Sequence, residues 1–140
     1  MKITRILLPV DGSRHSDTAT EMAMELAGDA NISVVLLHVR KTVPTGLGEP
    51  NAIELLEYLN KEAENIMAHY RAKLSATNAQ VTELIVGGKV AEVICNVAEV
   101  EKCDIIVMGS RGKSDFEGLI LGSATHKVLH TTDIPVLVVK

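Results

Sequence analysis

Short aliphatic runs alternate with amphipathic segments along the whole chain. Ile3 to Val10 and Ile32 to Val39 are nearly unbroken apolar runs, as expected of strands buried on both faces of a parallel sheet. Asp11-Gly12 stops the first run and Ser13 or Ser16 supplies a cap. Ala19, Met22, Ala23, Leu26 and Ala27 then recur at helical spacing until Gly28. The tract from Arg40 to Pro50, with Pro44, Gly46 and Gly48, predicts a mobile connection. A long helix starts near Asn51, with Leu56, Leu59, Ala63, Ile66, Met67, Tyr70 and Leu74 on one face. Glu57, Lys61, Glu62 and Glu64 fall mostly on the solvated remainder. Val81 to Val86 predicts a third strand, weakened by Thr82 and Glu83, and Gly87-Gly88-Lys89 turns the chain into a short helix through Ile94, Val97 and Ala98. Ile105 to Met108 predicts a fourth strand and Ser123 to Thr131 a fourth helix. Asp133-Ile134-Pro135 breaks that helix, and Pro135 to Val139 predicts the last strand.

This alternation predicts an α/β fold: an open, doubly wound, Rossmann-like five-stranded parallel sheet with four helices and right-handed crossovers. The strand order expected from common sheets of this kind is 3-2-1-4-5. It reverses between the first and fourth strands, and ligands of such sheets bind there, beyond the carboxyl ends. Asp11 and the segment from Gly109 to Gly122 follow those two strands. No repeat, low-complexity segment or second apolar cluster interrupts the pattern, so residues 1–140 are expected to form one domain.

Composition narrows the partners. At 46% hydrophobic, 140 residues are enough for one real core. The formal charge of -4 argues against a broad electrostatic grip on nucleic acid or on an anionic membrane. One local basic spot remains, where Arg111, Lys113, His126, Lys127 and His130 share a stretch whose acids are Asp115 and Glu117. Tryptophan is absent and phenylalanine occurs once, which leaves few platforms for base stacking. Cys95 and Cys103 lack zinc or redox spacing and read as buried reduced thiols. The N-terminus carries no signal pattern and no apolar stretch approaches ~18 residues, so a cytoplasmic protein is expected.

The chemistry concentrates between Met108 and Thr125. There an apolar run stops at Gly109, Gly112 follows, and Gly122, Ser123 and Thr125 open a helix. Glycine lets backbone approach a ligand, and a helix N-terminus offers unpaired N–H groups and a positive dipole end, with Arg111 and Lys113 nearby. The dipole contributes about 0.3–1 kcal/mol when exposed and up to about 2 when partly buried, whereas micromolar affinity needs about 8 kcal/mol. Several donors and a second contact region must cooperate. Asp11 reads equally as a turn former or as a ligand contact. Gly46-x-Gly48 lacks the third glycine of a dinucleotide fingerprint, and Gly88-Lys89 lacks the preceding glycine of a phosphate-binding P-loop. His126 and His130 stand four apart without the glutamate of a zinc-protease helix, and neither cysteine has a plausible catalytic partner.

Gly109-x-x-Gly112, nine residues, then Gly122-Ser123-Ala124-Thr125 resembles the nucleotide-binding signature of the ATP-binding universal stress proteins. Three further blocks are similar to that family in order: Ile6-Leu7-Leu8-Pro9-Val10-Asp11-Gly12-Ser13 with Ser16, Leu37-His38-Val39, and Pro135-Val136-Leu137-Val138-Val139. The resemblance implies a fold of the adenine nucleotide alpha hydrolase type. It also implies an ATP site made by Pro9, Val10, Asp11, Val39, Met108, Gly109, Arg111, Gly112, Gly122, Ser123, Ala124 and Thr125. In that site Asp11 would meet the ribose or a Mg²⁺-bound phosphate, and the backbone near Val39 would meet adenine. Gly109 and Gly112 would admit the triphosphate, and the Ser123 and Thr125 hydroxyls would donate to it. Ala124 is smaller than the valine common in the family, which implies slightly looser packing with binding retained. The family also implies homodimers joined through the terminal strand, at Val136, Leu137, Val138 and Val139.

Three functions follow from these readings. The first is a non-catalytic, dimeric, ATP-responsive regulator in the stress response. The second is a slow ATPase or phosphotransfer enzyme, and the third a dimeric scaffold indifferent to nucleotide. The glycine signature favours the first, because phosphoryl transfer needs a positioned nucleophile and charge stabilisation that the motifs do not supply.

Overall fold

The computed structural model describes residues 1–28 and 31–140. The strands are β1 (Arg5–Pro9), β2 (Ser33–Arg40), β3 (Gln80–Gly87), β4 (Ile105–Gly109) and β5 (Val136–Val139). The helices are α1 (Arg14–Ala27), α2 (Asn51–Leu74), α3 (Val90–Val100) and α4 (Ser123–Thr131). All neighbouring strands pair parallel, in the order β3-β2-β1-β4-β5.

Side-chain alternation along the strands divides the core into two layers. Ile6, Leu8, Val34, Leu36 and Val107 face one side of the sheet, where Ala19, Ala23 and Ala27 of α1 and Met67, Tyr70 and Leu74 of α2 cover them. Leu7, Val35, Leu37, Ile106 and Met108 face the other, beneath Ala91, Ile94, Cys95, Val97 and Ala98 of α3 and Val128 of α4. Burial on both faces is why the central strands read as unbroken apolar runs. β3 is interrupted because it is an edge: Thr82 and Glu83 are exposed, and Glu83 takes two hydrogen bonds from Arg71 of α2. Glu64 joins the same guanidinium at 2.7 Å, so part of the charged face of α2 forms an exposed ion-pair network that contributes little stability in water.

Pro9 shapes the sheet where function is expected. The Arg5 carbonyl points to β4 and the Val10 N–H to β2, so strand alternation turns the Pro9 nitrogen toward β4. Proline has no N–H to give there. β1 and β4 are paired at Ile6↔Ile105 and Leu7↔Ile106, and the ladder between them stops there. A cleft opens at the reversal of strand order.

Candidate functional site

The cleft is a cavity of about 340 Å³ lined from both sides of that reversal. Pro9, Val10 and Asp11 come from the end of β1, Val39 from β2, and Met108, Gly109, Arg111 and Gly112 from β4 and its loop. Ser123, Ala124 and Thr125 come from the first turn of α4. Eleven of the twelve expected residues therefore meet at one crevice. Gly122, the twelfth, is buried directly behind it as the N-cap of α4.

Asp11 ties the two halves together. Its Oδ1 accepts the Ser13 N–H at 2.9 Å and the Ser16 hydroxyl at 2.8 Å, and its Oδ2 accepts the Lys113 N–H at 2.8 Å. Gly12, at φ +87°, makes the turn that brings Ser13 and Ser16 round. Burial pushes the Asp11 pKa up, but the hydrogen bonds from Ser13, Lys113 and Ser16 outweigh it, and the carboxyl sits below its ordinary value. The residue is thus a charged carboxylate, both turn former and crevice wall.

The glycines of the loop do more than clear space for a ligand. A β-carbon on Gly109 would lie 2.6 Å from His15 Cβ, so this glycine lets β4 pass against α1. Thr125 Oγ1 donates to the Gly109 carbonyl at 2.9 Å from a buried position, so what Thr125 offers the crevice is its backbone N–H. The Arg111 guanidinium donates to the carbonyls of Phe116 and Glu117, holding the loop's own backbone. Of the local basic spot, Arg111 and Lys127 line the crevice, whereas exposed His126 and His130 pack edge to face, 4.4 Å between ring centroids.

Sequence reasoning missed the opposite wall. Lys89, Val90, Ala91 and Ile94 bring the N-terminus of α3 to the crevice. Neither α3 nor α4 has a side-chain cap hydrogen bond, in contrast to α1, whose Ser13 accepts the Ser16 N–H. First-turn N–H groups without caps are free for a ligand. The signal in the sequence was the absence of Ser, Thr, Asp or Asn before Val90 and Ser123, where Lys89 and Gly122 stand. Ser16, Ser114 and Asp115 also line the cavity. Among the described residues, no group of three or more His, Cys, Asp or Glu is arranged to hold a metal, and no helix is long and apolar enough to cross a membrane. Cys95 and Cys103 are buried free thiols; burial raises both pKa values, that of Cys103 to about 11.

Fold and crevice together define a doubly wound α/β protein with a crevice at its topological switch point, where the N-termini of α3 and α4 meet. The particular family is equally clear: the chain belongs to the universal stress protein family, whose sequence model matches residues 2–140. A universal stress protein of Thermus aquaticus is 36% identical over 96% of this chain and 97% of its own. One from Methanocaldococcus jannaschii is 34% identical, over 97% of this chain and 94% of its own. Its solved structure superposes with a TM-score of 0.92, covering 100% of this chain and 97% of that one. A family member from Arabidopsis thaliana, solved with AMP bound, shares the fold at 17% identity and a TM-score of 0.70, over 98% of this chain and 91% of that one.

Proposed function

We propose that this chain is an ATP-binding, non-catalytic regulator of the stress response, whose conformation or assembly follows nucleotide occupancy. The observation that carries this reading is the convergence of two uncapped helix N-termini, α3 and α4, on one crevice beside the Gly109 to Gly122 loop. That arrangement supplies the several donors and the second contact region that one helix dipole lacks. Val10 and Val39 offer an apolar wall for adenine at the β1 and β2 ends, and Asp11 a carboxylate for ribose hydroxyls. Mg²⁺ would come with the phosphates, with Asp11 the carboxylate placed to assist. The AMP held by the Arabidopsis protein is in keeping with an adenine nucleotide here. A regulator is favoured over an enzyme because the Asp11 carboxylate and Arg111 Nη1 already hold the loop, which suits them to steadying a ligand rather than to activating a nucleophile. Calorimetric titration of the nucleotide-free protein with ATP, with and without Mg²⁺, is expected to show binding near micromolar; no heat from folded, empty protein would refute the site. Steady phosphate release lost in Asp11→Ala, with binding retained, would mark an enzyme instead.

The same reading includes a homodimer through β5. The Pro135 and Val139 carbonyls accept from Ile106 and Ser110, so the N–H and C=O groups of Val136 and Val138 point outward along the sheet edge. β5 carries no charge, whereas the β3 edge carries Glu83, and an uncharged apolar edge invites pairing. Val138→Pro removes one outward N–H while leaving the β4 pairing intact. Light scattering at tens of micromolar is expected to give a dimer mass for wild type and a monomer for this variant. A wild-type monomer would remove the interface.

A further inference from the structure

The crevice contains an anion of its own. Asp115 Oδ2 accepts the Gly112 N–H at 2.7 Å, and the Asp115 N–H points back to the Gly112 carbonyl at 3.3 Å, closing residues 112–115 into a tight turn. The same carboxylate reaches over Gly122, where any β-carbon would collide with it. Gly122 caps α4 without a side chain of its own. A carboxylate that takes a loop N–H and stands beside an uncapped helix start lies where a phosphate oxygen would be held. Across Gly112 stands a second carboxylate: a β-carbon there would lie 2.9 Å from Asp11 Oδ2 and 3.5 Å from Asp115 Oδ2. The two carboxylates are not equivalent. Asp11 is held by three donors, including two from its own β1–α1 turn, whereas Asp115 has one donor and lies in a loop without helix or strand.

We propose that Asp115 sets the crevice's response to phosphate charge: its carboxylate holds the Gly112 donor and stands over Gly122, beside the start of α4, until a nucleotide's phosphates displace it. The inference rests on the nucleotide reading above. It acts on phosphates alone, because the adenine wall at Val10 and Val39 is built from other strands. Like charge disfavours phosphates beside Asp115, and a cation on those phosphates relieves the repulsion. Wild-type affinity for ATP therefore gains more from Mg²⁺ than that of a protein lacking this charge.

The test compares wild type, Asp115→Asn and Asp115→Ala, titrated with ATP and with adenosine, in EDTA and in Mg²⁺, after thermal unfolding has shown each to be folded. In EDTA, ATP is expected to bind Asp115→Ala about tenfold more tightly than wild type. Asp115→Asn, which keeps an acceptor but not the charge, should fall between. Adenosine affinity should stay constant and the gain from Mg²⁺ should shrink in both variants. A merely structural Asp115 would give the opposite result: a looser loop and weaker ATP binding. ATP bound by wild type with equal or weaker affinity in Asp115→Ala overturns this inference alone. No ATP binding by any of the three proteins overturns the nucleotide reading and this inference with it.

Discussion

Gly122→Val is expected to abolish ATP binding, weakening it by about a hundredfold or more, equivalent to about 3 kcal/mol. The backbone at this position, φ -72° and ψ 161°, is open to any residue, so the effect is one of space rather than conformation. A β-carbon would meet the Asp115 carboxylate and would lie 3.1 Å from Arg111 Cα. The carboxylate can swing aside, but the Arg111 backbone cannot move without carrying the loop away from α4. Gly122 also donates to the Ser110 carbonyl at 2.7 Å, which fixes the helix start against the end of β4. Valine therefore separates the loop donors from the helix donors, and an anion needs both. Titration of the variant beside wild type measures the loss, and a retained unfolding transition shows that the site rather than the fold was changed. Unimpaired binding would show that the phosphates lie elsewhere.

Gly109→Val is expected to act first on stability, lowering the free energy of unfolding by about 1–3 kcal/mol or more through overpacking. The new β-carbon would stand 2.6 Å from His15 Cβ and 2.9 Å from the carbonyl carbon and oxygen of the same residue. Most of the obstacle is helix backbone, so α1 as a whole must shift. His15 Nδ1 is buried without a hydrogen-bond partner. Burial and the Arg111 and Arg14 charges hold its pKa below the usual histidine value. Urea denaturation measures the effect as a lowered midpoint at unchanged slope. A midpoint equal to that of wild type would contradict the packing assigned to Gly109.

The two glycines show how far a motif can be read. Their spacing marks both as special, and a ligand is the natural explanation for each. In the folded chain Gly109 faces a helix ninety-odd residues earlier in sequence, whereas Gly122 faces the loop and the start of its own helix. Thr125 is similar: a hydroxyl beside a glycine suggests a donor to an anion, but the Gly109 carbonyl sixteen residues away takes it. Only position in space separates a glycine that makes room for a loop from one that makes room for a helix.

The strands and the helices were decided by sequence alone, because burial on two faces writes continuous apolar runs and helical burial writes a three-and-four period. Asp11-Gly12 and the Gly109 to Gly122 spacing were legible for the same reason: each follows directly on a strand end, and local chain geometry suffices to read it. The tertiary structure alone decided that the α3 N-terminus forms the opposite wall, that Lys113 closes onto Asp11 across 102 positions, and that Asp115 stands over Gly122. Those placements depend on crossover connections and on the end of the β1–β4 ladder after Leu7. Contacts between residues far apart in the chain follow from how whole elements pack, and no local pattern of hydrophobic and polar residues records that.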